Sequence, residues 1–176
     1  METGSRELWQ VLAENIWTLP QMEQSLEVCA DAVRTARRVF VAGSGRSGLV
    51  GRCFCQRLRH LGIEGYVIGE TVTPPAGKKD LFIAVSCSGQ TGSLCALACA
   101  ARKAGCRILT ITGNRESRVA RLSHLVIPVP SRGSAQCANS LFEQAAFFFL
   151  EAVAFFLQRR TRQSSSAMRR RHANIE

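Results

Sequence analysis

Two loops in this chain carry residue types that can hold an anion. The first is Gly43-Ser44-Gly45-Arg46-Ser47-Gly48 and the second is Ser86-Cys87-Ser88-Gly89-Gln90-Thr91-Gly92. Each follows an apolar run and opens a helical pattern, whose free N–H groups and positive dipole end attract negative charge. Small residues such as Gly45 and Gly89 let the backbone approach a ligand closely, and the hydroxyls of Ser47, Ser86, Ser88 and Thr91 add donors that a phosphate accepts. Capping of the next helix explains either loop alone. Two of them at one sheet edge point to a phosphate. The first loop also fits G-x-G-x-x-G, with Glu70 standing 22 residues after Gly48, so a dinucleotide site is the rival reading. Ser44, Arg46 and Ser47 within the loop, and a second Ser/Thr loop that a dinucleotide fold does not need, weigh against it.

Two further side chains could move protons. Glu143 lies in an apolar helical stretch, and desolvation is what makes a carboxylate a stronger base. His60 stands near the end of another helical stretch and could exchange a proton with oxygen or assist the opening of a cyclic substrate. A carboxylate and an imidazole of this kind could together serve general acid–base chemistry. The plain alternative has Glu143 facing solvent and His60 merely ending its helix. Arg46 either adds a charge-assisted contact to phosphate or lies on the surface.

The elements that must position these residues alternate in type. Helical spacing covers Glu7 to Leu19 and, after Pro20, Gln21 to Arg37. Short apolar strands follow at 39–42, 65–69, 81–85, 107–111 and 125–129, the last placed at a sheet edge by Pro128. Helical stretches at 47–61, 91–104 and 115–122 separate them, and 139–160 closes the series. Strands apolar along their whole length, alternating with helices, predict a three-layer αβα domain around a five-stranded parallel sheet. Ligands then bind beyond the carboxyl ends of the strands, where both loops fall. The segment Leu141 to Leu157 is apolar on most faces, yet its 17 residues include Glu143, Gln144 and Glu151, so it is too short and too polar for an ordinary membrane span. Such a helix fits between its own sheet and another subunit, which predicts a dimer or tetramer.

Composition sets outer limits. The chain has 176 residues, 46% hydrophobic and 20% charged, enough for one domain with a sizeable core. The formal charge of +10 divides: residues 159–176 hold six arginines against Glu176, a net of +5. Residues 161–176 are therefore expected to form a basic, disordered tail after a domain over 1–160, and nucleic acid is not an expected partner. Eight cysteines occur without a C-x-x-C pair, and only three histidines are present. Free thiols in a cytoplasmic protein are expected, with no metal site. The polar, charged stretch Met1 to Gln10 carries no secretory signal.

Taken in order, these motifs resemble the sugar isomerase (SIS) domain family and, within it, the 6-phospho-3-hexuloisomerases. The resemblance rests on Gly43 to Gly51, Arg57 to Gly62, Gly69 to Pro74, the Ser-x-Ser-Gly-x-Thr loop, and Ser140 to Ala145. It implies a flavodoxin-like SIS fold, commonly a tetramer, that acts on a sugar phosphate without cofactor. The implied reaction interconverts 3-hexulose 6-phosphate and fructose 6-phosphate, downstream of a synthase that joins formaldehyde to ribulose 5-phosphate. By the same resemblance Glu143 and His60 are catalytic, and Ser47, Ser86, Ser88 and Thr91 bind the phosphate. Gly45, Arg46, Cys87 and Gly89 are further candidates for substrate contact. This chain departs from the family pattern at Cys87, usually glycine, at Gln90, usually glutamate, and at Cys137-Ala138-Asn139, usually Pro-x-Gly. Another SIS phosphosugar isomerase and a non-catalytic phosphosugar sensor remain alternatives.

Overall fold

Val39-Phe40-Val41-Ala42 is apolar at every position because both faces of its strand are covered. Val39 and Val41 point into one core cluster with Phe54, Leu58, Phe142 and Val153. Phe40 and Ala42 point into a second with Leu94, Ala98 and Val119. The computed structural model describes residues 3–175. Met1, Glu2 and Glu176, the outermost residues of the expected domain and tail, lie outside the described residues.

The chain begins with α1 (Thr3–Thr18), a 3₁₀ turn (Leu19–Met22) and α2 (Glu23–Thr35). Pro20 sits in the first positions of the 3₁₀ turn, where its missing N–H costs no helical bond. The alternating part follows: β1 (Val39–Gly43), α3 (Gly45–His60), β2 (Gly65–Val67), β3 (Leu81–Ser86), α4 (Gly92–Lys103), β4 (Arg107–Thr112), α5 (Arg118–Leu122) and β5 (Leu125–Pro128). Helices α6 (Ser140–Arg160) and α7 (Ser165–Arg170) close it. All five strands are parallel, in the order β2-β1-β3-β4-β5. This is the flavodoxin-like order, which places the topological switch point between β1 and β3. Pro128 lies on the edge strand, as its missing N–H requires.

Helices α2, α3 and α6 cover one face of the sheet and α4 and α5 the other. Among the described residues α6 is the helix long and apolar enough to cross a membrane by length and composition, but 56% of its most apolar window is buried inside the protein. Ten of its residues, from Leu141 to Leu157, are buried. It is a core helix.

The expectation of a disordered tail past residue 160 needs correction. α7 folds back on the end of α3, where Met168 packs against the core. Arg171 donates to the His60 carbonyl at 3.0 Å and to Gln163 at 3.1 Å. The His172 ring stacks on His60 at 4.9 Å. Arginine content suggested solvation, but a guanidinium that finds bare helix C-terminal carbonyls is held there.

At the opposite edge from the loops, Asp80 fixes the start of the β1/β3 pair. Its carboxylate, with no side-chain exposure, accepts forked bonds from Arg37 and Arg38 at 2.8–3.3 Å and the Gly77 amide at 2.9 Å. Burial alone would raise its pKa, but the two guanidinium groups and the amide outweigh it and hold it far below the usual range. A carboxyl depressed in this way stabilises the fold at every pH above the unfolded-state value and loses that effect only as pH falls through its own. Asp80→Ala leaves two arginines without their buried partner and should cost about 3 kcal/mol in a urea melt at neutral pH, with the loss shrinking as the medium is acidified.

Candidate active site

The direct pairing of β1 with β3 runs from Val39↔Leu81 to Gly43↔Val85. Their two following loops therefore start on neighbouring strands, about 5 Å apart. Close approach is built in. A Cβ on Gly48 would stand 2.6 Å from the Gly43 carbonyl oxygen, and one on Gly43 would stand 2.9 Å from both Gly48 and Val85 backbone. Only glycine lets α3 start this tightly against the end of β1. Gly89 has a left-handed φ of +60°, and a Cβ there would collide with Ser117 Oγ at 2.1 Å.

Both helices present their N-termini at this point. α3 opens after Ser44 and α4 after Thr91, and in neither case does the side chain cap the helix. The first-turn amides of both helices therefore point toward one region with no side-chain acceptor supplied at the caps. Ser47 is buried in the first turn of α3. Ser86 Oγ accepts the Gly89 amide at 3.0 Å and Ser88 Oγ accepts the Gln90 amide at 3.3 Å. These two hydroxyls brace the loop while each keeps its own proton to donate. The Cys87 carbonyl accepts from the Gly113 amide at 3.0 Å and from Thr112 Oγ1 at 3.2 Å, so the residue that replaces the family's glycine is held by the end of β4. Its half-buried thiol has its pKa pushed up by desolvation. Gln90 is exposed.

Glu143 lies in the first turn of α6 and is 8% exposed. It does not face solvent. Helices α3 and α6 lie side by side, so the carboxylate meets the Arg46 guanidinium in an ion pair, with Nε donating to Oε2. Arg46 thus turns toward the candidate base, which neither sequence reading of it anticipated, and the ion pair raises its pKa further. A cavity of about 310 Å³ opens beside the pair, walled by Leu49, Val50, Phe147 and Phe148. Asn139, at the position of the family's glycine, adopts a left-handed φ of 65°, which asparagine tolerates better than most residues. The departure Cys137-Ala138-Asn139 thus still delivers Glu143 to the site.

His60 is not brought there. It ends α3, and 16 residues of helix put it about 24 Å from the glycine loop, at the opposite edge of the sheet. Burial, then the nearby His172 and Arg57, lower its pKa. The expected pairing of Glu143 with His60 does not occur within one chain, because helix length separates them. Glu70, the acidic residue of the dinucleotide reading, forms an ion pair with Arg52. Among the described residues, no group of three or more His, Cys, Asp and Glu gathers at metal-binding distance.

Sequence reasoning missed Glu14. This α1 carboxylate accepts from Ser134 Oγ at 2.6 Å, Gln136 Nε2 at 2.8 Å and the Ala135 amide at 3.1 Å. A contact across 120 positions leaves no local signal.

Comparison with known proteins agrees with this architecture. Residues 32–150 match the SIS domain model. A 3-hexulose-6-phosphate isomerase of Mycobacterium gastri is 40% identical over 161 residues, spanning 87% of this chain and 81% of that protein. The Bacillus subtilis protein of the same name is 36% identical over 156 residues, spanning 84% of each. A Methanococcus jannaschii crystal structure, described as inferring a molecular function of 3-hexulose-6-phosphate isomerase, superposes with a TM-score of 0.87 at 32% identity, over 97% of this chain and 99% of that one. The flavodoxin-like strand order, the two phosphate-type loops at its switch point and the extent of these matches place the chain in the SIS domain family.

Proposed function

We propose that this protein interconverts 3-hexulose 6-phosphate and fructose 6-phosphate, with Glu143 as the base. The observation that carries this reading is the burial of one carboxylate, Glu143, beside two helix N-termini that start on paired strands. In this reading the sugar's phosphate sits between the α3 and α4 N-termini. It accepts hydrogen bonds from the hydroxyls of Ser47, Ser86, Ser88 and Thr91 and from first-turn backbone amides of the two helices. The chain of carbons then runs toward α6. Arg46 releases Glu143 in part as substrate enters and turns its guanidinium to the sugar oxygens. The carboxylate takes the proton from C2 of the 3-ketose and returns it to C3, while the O2 proton passes to O3 through the intervening enediol. Arg46 stabilises the negative charge that develops on those oxygens.

A histidine can take part only from a second copy of the chain, because His60 lies too far from its own Glu143. We extend the proposal to an assembly for that reason and because α1 and α6 leave large apolar side chains exposed. Trp9, Ile16 and Trp17 are each about two-thirds exposed or more, and Phe155 is 61% exposed. Eight unpaired cysteines suit a reducing compartment, and the cytoplasm is the setting we assign.

Binding and turnover should separate on mutation. Thr91→Val keeps shape but removes a hydroxyl, and should raise KM for the sugar phosphate about 5- to 50-fold with kcat little changed. Glu143→Gln should do the reverse, lowering kcat about 10²–10⁴-fold while binding persists. An assay that follows interconversion of the two sugar phosphates by NMR, with no cofactor added, reads both constants. Full turnover in a folded Glu143→Gln protein would remove Glu143 as the base. For the assembly, light scattering should give a dimer or tetramer at micromolar concentration, and a monodisperse monomer would contradict it.

A further inference from the structure

The segment 131–139 brings the chain to the first turn of α6, where Glu143 stands, and few bonds of its own hold it. It leaves the sheet after β5 and enters α6 through two left-handed residues, Ala138 at φ 49° and Asn139 at φ 65°. No side chain caps the helix it enters. The Glu143 amide itself bonds the Asn139 carbonyl at 3.2 Å, and the Ser140 amide bonds the Cys137 carbonyl at 3.0 Å. The turn into α6 is therefore made of left-handed backbone and local hydrogen bonds.

What holds it comes from α1. Glu14 takes three donors from consecutive residues of the segment, Ser134, Ala135 and Gln136. The next residue, Asn15, is buried and donates to Gln144 Oε1 at 2.6 Å, one position beyond the base. Adjacent residues of one helix thus grip both sides of the left-handed turn. Bonds from Ser134, Gln136 and Ala135 hold the Glu14 carboxyl down to about 2, so it remains an ionised acceptor throughout the neutral range.

We propose that Glu14 is a positioning residue for the base: by clamping 134–136 it fixes the left-handed entry into α6 and hence the place of the Glu143 carboxylate against Arg46. This rests on the isomerase reading for its catalytic meaning. Glu14 touches neither phosphate loop nor ion pair, so its removal should misplace the base while leaving phosphate capture intact.

Glu14→Ala and Glu14→Gln test this with two readouts. Amide hydrogen exchange at Ala135, Gln136 and Glu143 should be at least tenfold faster in Glu14→Ala than in the unaltered protein, while the amides of β1 and β3 stay protected. In the isomerase assay kcat should fall about 10- to 100-fold with KM little changed. Glu14→Gln, which keeps one carbonyl acceptor, should recover part of both, and it serves as the test variant if Glu14→Ala does not fold. Unchanged exchange at these amides overturns the proposal, as does a freed loop with unaltered kcat in an active enzyme. If the unaltered protein does not turn over the sugar phosphate, the isomerase reading fails, and exchange at the Glu143 amide alone then decides whether Glu14 sets that residue.

Discussion

The site depends on the direct parallel pairing of β1 with β3. Consecutive strands of a βαβ unit could have paired differently, and the glycine loop and the serine loop would then have faced different clefts. Pairing them side by side brings two helix N-termini together, with β2 on one side and β4 on the other. Each N-terminus contributes unsatisfied amides and a fraction of a positive charge. Neither holds a phosphate well alone in water, but two that converge, with hydroxyls between them, make a concave cradle. Asp80 secures the far end of the same strand pair through Arg37 and Arg38, so a single buried carboxylate supports the register on which the cradle is built.

A second constraint is the contact between α3 and α6. It carries two cross-helix ion pairs, Arg46–Glu143 near the loops and Arg57–Glu151 farther down. The first is almost entirely desolvated on the acidic side and open on the basic side. That asymmetry suits a working site, because Arg46 can swing toward a ligand while Glu143 stays where its helix puts it. The Arg46 partner also keeps the buried Glu143 carboxylate from standing alone, which would be costly.

Much of this was legible in the residues. Strands such as Val39 to Ala42 and Leu81 to Val85 are apolar throughout, which only a sheet covered on both faces permits, and their β-α alternation implies the parallel arrangement. The two loops declared themselves by glycine and hydroxyl content, and their order along the chain pointed to one sheet edge. What stayed hidden depends on distance in space. Arg46 and Glu143 are separated by 97 positions, and nothing local tells an arginine in a glycine loop that its partner is a glutamate of the last long helix. His60 looked like a partner for Glu143 because a motif lists residues without the helix length between them. The tail looked solvated by composition, yet Arg171 and His172 found the exposed end of α3. Pro128, by contrast, told its own story, since a missing N–H is a property of the residue itself, whereas the left-handed backbone at Asn139 was seen only in the structure.

The central claim is that one ligand joins the two loops to Glu143. A crystal structure with hexitol 6-phosphate, which has the carbons and phosphate of the substrate but no carbonyl to react, tests it most directly. The account predicts phosphate density between the N-termini of α3 and α4, within hydrogen-bond distance of Ser47, Ser88 and Thr91. It also predicts C2 and C3 beside the Glu143 carboxylate and Arg46 turned onto the sugar oxygens. Phosphate bound at another edge of the sheet, or a sugar chain leading away from Glu143 with the Arg46 pair undisturbed, would contradict it.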